Sequence, residues 1–325
     1  MSSPQKQARF HYQDLGPASS NSRQEILSGL RETRKRISPK YFYDDTGSIL
    51  FEEITRQPEY YPTRTERRIL EDHAADMATA IGTGTVLMEP GAGSCEKVRL
   101  LLDALKPSAY VPIDIAGEFL QRSASSLQGE FPWLRIAALR ADFAAMPSMP
   151  ADLPAGPRTL FYPGSTLGNF SPLQATSFLR HARRLVGPEG KLLIGIDLHK
   201  DSAILNRAYN DSAGVTARFN LNILHHLNRV LPADFKPQQF RHIAFYNDDC
   251  QRIEMHLESL TEQTVSAAGE TIHLAAGERI HTEISCKYSQ ESFTALAAAA
   301  ELNVRECWRD NENLFAVFLL SSGAS

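Results

Sequence analysis

The stretch TVLMEPGAGS, residues 85–94, decides how the rest of the chain is read. Thr85–Met88 is a short apolar run of strand type, and Gly91 and Gly93 stand directly before a helical pattern that starts near Glu96. Two glycines at a strand-to-helix turn let backbone approach a ligand closely, and the helix behind them offers free N–H donors. The spacing is E-x-G-x-G. A dinucleotide fingerprint would need a third small residue three positions after Gly93, where this chain has Glu96. A carboxylate there disfavours a pyrophosphate seated on the helix.

Working outward, the same alternation repeats. Strand-like runs at 109–113, 134–138, 159–162 and 191–196 are separated by helical patterns at 96–105, 117–127 and 172–185. Strand, helix, strand in succession predicts an α/β fold with a doubly wound parallel sheet. The alternation stops after residue 200. Residues 201–230 read as helical, and five strand-like runs fill 240–285. A helix near 290–301 and two closing strands, 304–308 and 315–320, follow. Upstream, Ser22-Arg-Gln-Glu25 reads as a capping box opening a helix to about Arg36, and Thr63-Arg-Thr-Glu66 as another opening a helix to Ile81. This divides the chain into a sheet domain, 63–200 plus 288–325, and a second α+β unit, 10–62 plus 201–287. Residues 1–9 are expected to be a flexible tail, and 10–25 a loosely ordered lead-in.

Composition narrows the function classes. The 325 residues carry a formal net charge of −4, which argues against a basic nucleic-acid footprint. No apolar run approaches the roughly 20 residues of a membrane helix, and the N-terminus lacks a secretory signal pattern. The four cysteines contain no C-x-x-C and read as free thiols of a reducing compartment. A cytoplasmic protein is expected, with no nucleic-acid or membrane partner and in a monomeric state. His225 and His226 are adjacent on a helix, about 100° apart, and make a poor shared metal site. No metal is expected.

Acids follow the glycine loop at regular places. Asp114 ends the next strand, 21 residues beyond Gly93, where a carboxylate can accept both hydroxyls of a ribose. Asp142 and Phe143 follow the third strand and suit an adenine, the acid accepting the exocyclic amine and the ring stacking. With Gly91 and Gly93 the set resembles the class I S-adenosylmethionine-dependent methyltransferases.

A narrower resemblance lies in KYFYDDTGSILFEEITRQPEYYPTRTE (40–66), EPGAGSCEK (89–97), PGSTLGN (163–169), DLHKDSAILNRAYNDSAGVTARFNLNIL (197–224), RIEMHL (252–257) and TEISCK (282–287). In this order, these stretches resemble the bacterial L-histidine Nα-methyltransferases of ergothioneine biosynthesis. The resemblance implies a Rossmann-like methyltransferase domain and a second domain from the N-terminal segment and a large insertion. It implies S-adenosylmethionine as methyl donor and L-histidine as a small-molecule substrate, trimethylated to hercynine. It further implies that Tyr60, Gly164, Asn169 and Tyr209 hold the α-amino and α-carboxylate groups and that Tyr43 and Phe51 line the pocket. Met255, Glu283 and Ser285 would face the imidazole. Glu89, Gly91, Gly93, Lys97, Asp114, Asp142 and Phe143 would hold the donor.

Taken singly, these residues also have plainer readings. Tyr60 and Tyr61 suit an amphipathic core, Asn169 suits a helix cap, Met255 suits packing, and Glu283 suits an ion pair with Arg252 or Lys287. Two functional alternatives share the fold: an N-methyltransferase for another amino acid, such as tryptophan or tyrosine, and a non-catalytic binder of S-adenosylmethionine.

Overall fold

A computed structural model describes residues 9–16, 22–146, 149 and 153–322. An eight-stranded sheet runs in the order β1 (Phe10–Asp14), β4 (Ile136–Arg140), β3 (Ala109–Asp114), β2 (Val86–Pro90), β5 (Arg158–Tyr162), β6 (Lys191–Asp197), β13 (Phe315–Ser322), β12 (Leu302–Arg309). Strands β1 to β6 pair in parallel, and β13 and β12 close the sheet antiparallel. This is a doubly wound, Rossmann-like sheet. The chain order reverses between β2 and β5, so the crevice above that point is where a ligand sits in such sheets.

Successive side chains of a strand face opposite layers, and the sequence uses both faces. Val86 and Met88 of β2 pack with α6 (Pro172–Val186) and α9 (Gln290–Ala299). Leu87 packs on the other side with α3 (Tyr61–Ile81), α4 (Arg99–Leu105) and α5 (Gly117–Glu130). Apolar residues on both faces of the central strands are what a covered parallel sheet requires.

A separate apolar cluster joins α1 (Ser22–Arg31), α2 (Asp45–Thr55), α7 (Ser202–Ala208) and α8 (Val215–Val230) to a three-stranded antiparallel sheet, β11-β8-β7. Those strands are β7 (Phe240–Asn247), β8 (Arg252–Ser259) and β11 (Arg279–Cys286). A hairpin, β9 (Gln263–Ala267) with β10 (Glu270–Leu274), flanks them.

Several elements differ from the expectation. Phe10–Asp14 is a strand on the edge of the large sheet, paired with β4, and is neither a loose lead-in nor part of the second unit. Helix α1 stops at Arg31, because Arg36 folds back to bond the Gly29 carbonyl and Ile37 bonds His281. Helix α3 begins at Tyr61 with Pro62 in its first turn, so Glu66 lies inside the helix and caps nothing. The helical stretch after residue 200 is two helices, broken at Asn210–Gly214, where Gly214 takes φ +67°. The tail up to residue 8, the stretch 17–21 and the Ser22 side chain of the first capping box lie outside the described residues.

Candidate active site

The glycine turn after β2 is a cradle made by backbone. Gly91 (φ +68°) and Gly93 (φ +51°) hold left-handed conformations that favour glycine. A Cβ on Gly91 would meet nothing within 4 Å, so the conformation leaves open space instead of packing the turn shut. The turn is pinned from the next strand: Gly91 N–H donates to Ile113 O at 2.8 Å and Gly93 N–H to Asp114 Oδ2 at 3.0 Å. Asp114 Oδ1 accepts from Ala116 N at 2.9 Å. Each carboxylate oxygen keeps a lone pair for a further donor. These features fit a ribose seated over the turn after β2, beside the end of β3.

Asp142 accepts from Ala144 N at 3.0 Å and is half-buried beside this turn's neighbour strand. The Phe143 ring turns inward instead, packed against Phe178 and His181 with ring centroids at 5.6 and 5.4 Å. Glu89 is buried and bonded by the Tyr110 hydroxyl. Burial pushes its carboxyl up to about 8, against the opposing pull of Tyr110 and Lys97.

Across the crevice, nine expected acceptor residues meet. Tyr43, Phe51, Tyr60, Gly164, Asn169, Tyr209, Met255, Glu283 and Ser285 all line one cleft. They come from the turn before α2, α2 itself, the entry to α3, the loop after β5, the end of α7, β8 and β11. The β11 side chains reach it through a bulge: pairing with β8 shifts between His281 and Glu283, which sets Glu283 opposite Met255.

Aromatic rings form one wall. Tyr43 and Phe51 pack edge to face at 5.7 Å, Phe51 and Tyr60 at 6.4 Å, and Tyr60 and Tyr209 at 6.3 Å. Phe219 of α8 completes it, 5.8 Å from Tyr43. The phenols of Tyr43, Tyr60 and Tyr209 are pushed well above their ordinary range by burial, reinforced by the Glu283 carboxylate and by one another. They stay protonated at neutral pH.

The charged wall is a buried network. Asp197, at the end of β6, accepts from Lys287 at 2.8 Å, from Lys200, and from the Tyr61 hydroxyl at 2.7 Å. Burial alone would raise the Asp197 carboxyl, but the two ammonium groups hold it below its usual range. Lys200 is pushed down to about 8 by burial, with Asp197 opposing. Lys287 also donates to Ser285 Oγ at 2.8 Å and to the Tyr209 hydroxyl at 3.4 Å. Ser285 also hydrogen-bonds the Tyr209 oxygen, so the two hydroxyls and Lys287 form one connected group at the cleft wall. Glu283 has neither suggested ion-pair bond. Arg252 is spent on Glu254 and Lys287 on Asp197. Among the described residues its carboxylate has no hydrogen-bond partner, and burial, with Lys287 opposing, raises it to about 7. An unpartnered buried carboxylate facing a cleft is an acceptor waiting for a donor.

Sequence reasoning missed Asp197, Phe219 and Glu66, and read Lys287 only as a possible ion-pair partner. Asp197 stood at the end of an apolar strand, which is a signal for a ligand-side acid. Glu66 was masked by its capping-box spacing. Cys95, buried at the donor turn, has its thiol pushed up to about 12 by burial and is inert. Among the described residues, Glu254, His256 and His281 are close enough to share an ion. Glu254 and His256 flank the cleft-facing Met255 on β8, His281 pairs with His256 from β11, and Glu254 is held by Arg252 and Asn247.

The chain matches the histidine-specific, S-adenosylmethionine-dependent methyltransferase family over residues 22–322. It is 41% identical over 304 residues to a histidine N-alpha-methyltransferase of Mycobacterium tuberculosis, covering 91% of this chain and 94% of that one. It is 40% identical, with the same coverage, to a histidine N-alpha-methyltransferase of Mycolicibacterium smegmatis. It is also 31% identical to ergothioneine biosynthesis protein 1 of Neurospora crassa, over 89% of this chain and 34% of that longer protein. No helix among the described residues is long and apolar enough to cross a membrane.

Proposed function

The chain belongs to the histidine-specific, S-adenosylmethionine-dependent methyltransferases, and from that premise we propose that it methylates the α-amino group of L-histidine three times to give hercynine, the first step of ergothioneine biosynthesis. The observation that carries the reading is Glu283: a buried carboxylate without a partner, beside Ser285, in a cleft otherwise walled by aromatic rings. An imidazole N–H satisfies that carboxylate. An indole carries an N–H too, but a larger apolar body and no second nitrogen for Ser285.

The donor sits on one unit, 63–200 and 288–325 with β1 at its edge, and the acceptor lies between that unit's loop after β5, which carries Gly164 and Asn169, and the second unit, 22–62 and 201–287. Gly91, Gly93 and Asp114 seat the donor, with Asp142 for its adenine and Glu89 and Lys97 beneath its amino-acid end. The donor, when bound, supplies an electrophilic sulfonium methyl. Each turnover forms one N–C bond and breaks one S–C bond, and the amine must be neutral to present its lone pair.

Tyr60, Asn169, Tyr209 and the Gly164 peptide hold the amine and carboxylate of the acceptor. The phenols remain neutral, so they orient the amine by hydrogen bonding and take no proton from it; the amine loses its protons to water. Fixing the nucleophile in line supplies several kcal/mol of the barrier, up to about 7–11 in ideal cases. As methyl groups accumulate, N–H bonds are lost and the product becomes a quaternary ammonium. The faces of Tyr43, Phe51 and Tyr60 then attract it by about 0.5–2 kcal/mol.

Incubation with S-adenosylmethionine and an equimolar mixture of the twenty amino acids, read by mass spectrometry, tests the proposal. Histidine should gain three methyl groups. Preferential methylation of tryptophan or tyrosine would assign the fold to another amino acid, and donor binding without any methylated product would make the chain a binder.

A further inference from the structure

Glu66 lies wholly buried in α3, behind the point where the chain order of the sheet reverses. Both of its carboxylate oxygens are 2.9 Å from the Gly164 N–H, in the loop after β5. Its Oε2 is also 2.5 Å from the Lys97 ammonium, which follows the glycine turn after β2. The two loops that flank the crevice are thus tied to one side chain from a third element.

The surroundings are shaped for that side chain. Gly195 of β6 has no room for a Cβ, which would come within 1.9 Å of Glu66 Oε1. Gly164 holds φ +81°, and a Cβ there would sit 3.2 Å from the Lys97 ammonium. Ser165, next along, holds φ +56° and accepts the Asp197 N–H on its hydroxyl at 2.9 Å. A β5 loop in two successive left-handed residues needs outside bonds to keep its shape. Glu66 supplies the bond at Gly164, and the network around Asp197 supplies the bond at Ser165.

We propose that Glu66 is a positioning residue that fixes the donor-side Lys97 and the acceptor-side Gly164 peptide with one carboxylate, so that the methyl donor and the amino-acid acceptor each bind to a site the other's loop helps to hold. The inference rests on the reading of Lys97 and Gly164 as donor and acceptor ligands. A ligand that immobilises Lys97 steadies Glu66 and, through it, Gly164. The effect is reciprocal, as any coupling between two binding equilibria must be.

The test uses the full chain and calorimetric titration of S-adenosylhomocysteine and of histidine, each alone and in the presence of the other. Glu66→Gln keeps an acceptor for Gly164 but loses the charge that holds Lys97. It should weaken both ligands, the homocysteine derivative by about tenfold or more, the loss expected for one charge-assisted bond. It should also abolish the mutual enhancement expected of the unsubstituted protein. If Glu66→Gln does not fold, Gly195→Ala displaces the same carboxylate without removing its charge, and the same paired loss is expected. Absence of mutual enhancement in the unsubstituted protein overturns the proposal, as does a folded variant in which both affinities stay within about twofold. Loss on one side only overturns it as well, and Lys97→Ala then locates the fault. If Lys97→Ala leaves the homocysteine derivative's affinity unchanged, the reading of Lys97 as a donor ligand has failed. If it weakens that affinity, the reading stands and the link through Glu66 has failed.

Discussion

The two sides of the crevice are built on different principles. On the donor side, positions within one stretch, 89–143, follow consecutive parallel strands, and much of the cradle is backbone: two glycines at positive φ and a carboxylate pinning their turn. On the acceptor side the cleft draws on seven separate places in the chain, and its character comes from buried side chains whose charges must balance. Backbone cradles tolerate loss of a side chain better than buried charge networks do, because an uncompensated buried charge carries its full desolvation cost.

That contrast sets the largest expected effect. Asp197→Asn leaves Lys200 and Lys287 buried without their counter-ion. Denaturant unfolding should show a loss of about 3–5 kcal/mol, partly recovered as pH rises towards 8, because Lys200, held at about 8 beside Asp197, sheds its proton at lower pH once that charge is gone. Gly91→Ala on the donor side meets open space and costs the left-handed backbone strain alone, about 1–2 kcal/mol. Equal losses would erase the distinction between the two sides.

For ligand binding the expectation reverses. Asp114→Ala removes the acceptors for two ribose hydroxyls and should cost about 2–5 kcal/mol of donor affinity by calorimetry. Histidine affinity measured without donor should change little. A folded variant with unaltered donor affinity would remove Asp114 from the donor site.

Glu283 gives a pH signature. Its carboxyl stands at about 7 in the folded chain against an ordinary 4.5. Between those values the unfolded chain has lost the proton and the folded chain keeps it, so this group's stabilisation falls as pH rises and levels off above about 7. The stability advantage of Glu283→Gln over the unsubstituted protein should therefore grow between pH 5 and 7, by on the order of 3 kcal/mol. Saturating histidine should reduce that growth by giving the carboxylate its partner. A pH-independent difference would mean that Glu283 is solvated or already paired.

A smaller ligand effect concerns Asn169, which follows β5 in a short helical turn. Ser171 caps α6 with its own hydroxyl and a full capping box, so Asn169 is not needed as a cap. Asn169→Ala should cost histidine about 1.5–3 kcal/mol and the donor much less. Equal losses on both sides would make it structural.

The same contrast explains what was legible in the sequence. The doubly wound sheet could be read because strand and helix periodicities differ, and the donor turn because its glycines and acids fall at strand ends. Phe10–Asp14 was unreadable: a five-residue edge strand, half exposed, lacks a strong apolar pattern. The acceptor residues came from family resemblance, since no spacing links Tyr43 to Glu283. Their meeting in one cleft depends on the β11 bulge and on the bend at Gly214, neither of which has a period. Asp197 and Glu66 were misjudged because charge inside a fold is visible only when its partners, distant in sequence, are seen beside it.

The proposed specificity rests on Glu283 accepting the imidazole N–H. Its most direct test is kcat/KM for histidine and for tryptophan in the unsubstituted protein, in Glu283→Ala, and in Glu283→Ala with Met255→Val. Removing the carboxylate deletes the imidazole's acceptor together with the penalty against burying an apolar ring beside an unpaired charge, and shortening Met255 makes room for an indole. The histidine-to-tryptophan preference should fall by about tenfold or more, with donor affinity nearly unchanged. A preference that stays within about threefold of the unsubstituted protein, less than about 1 kcal/mol of differential binding, would contradict the account.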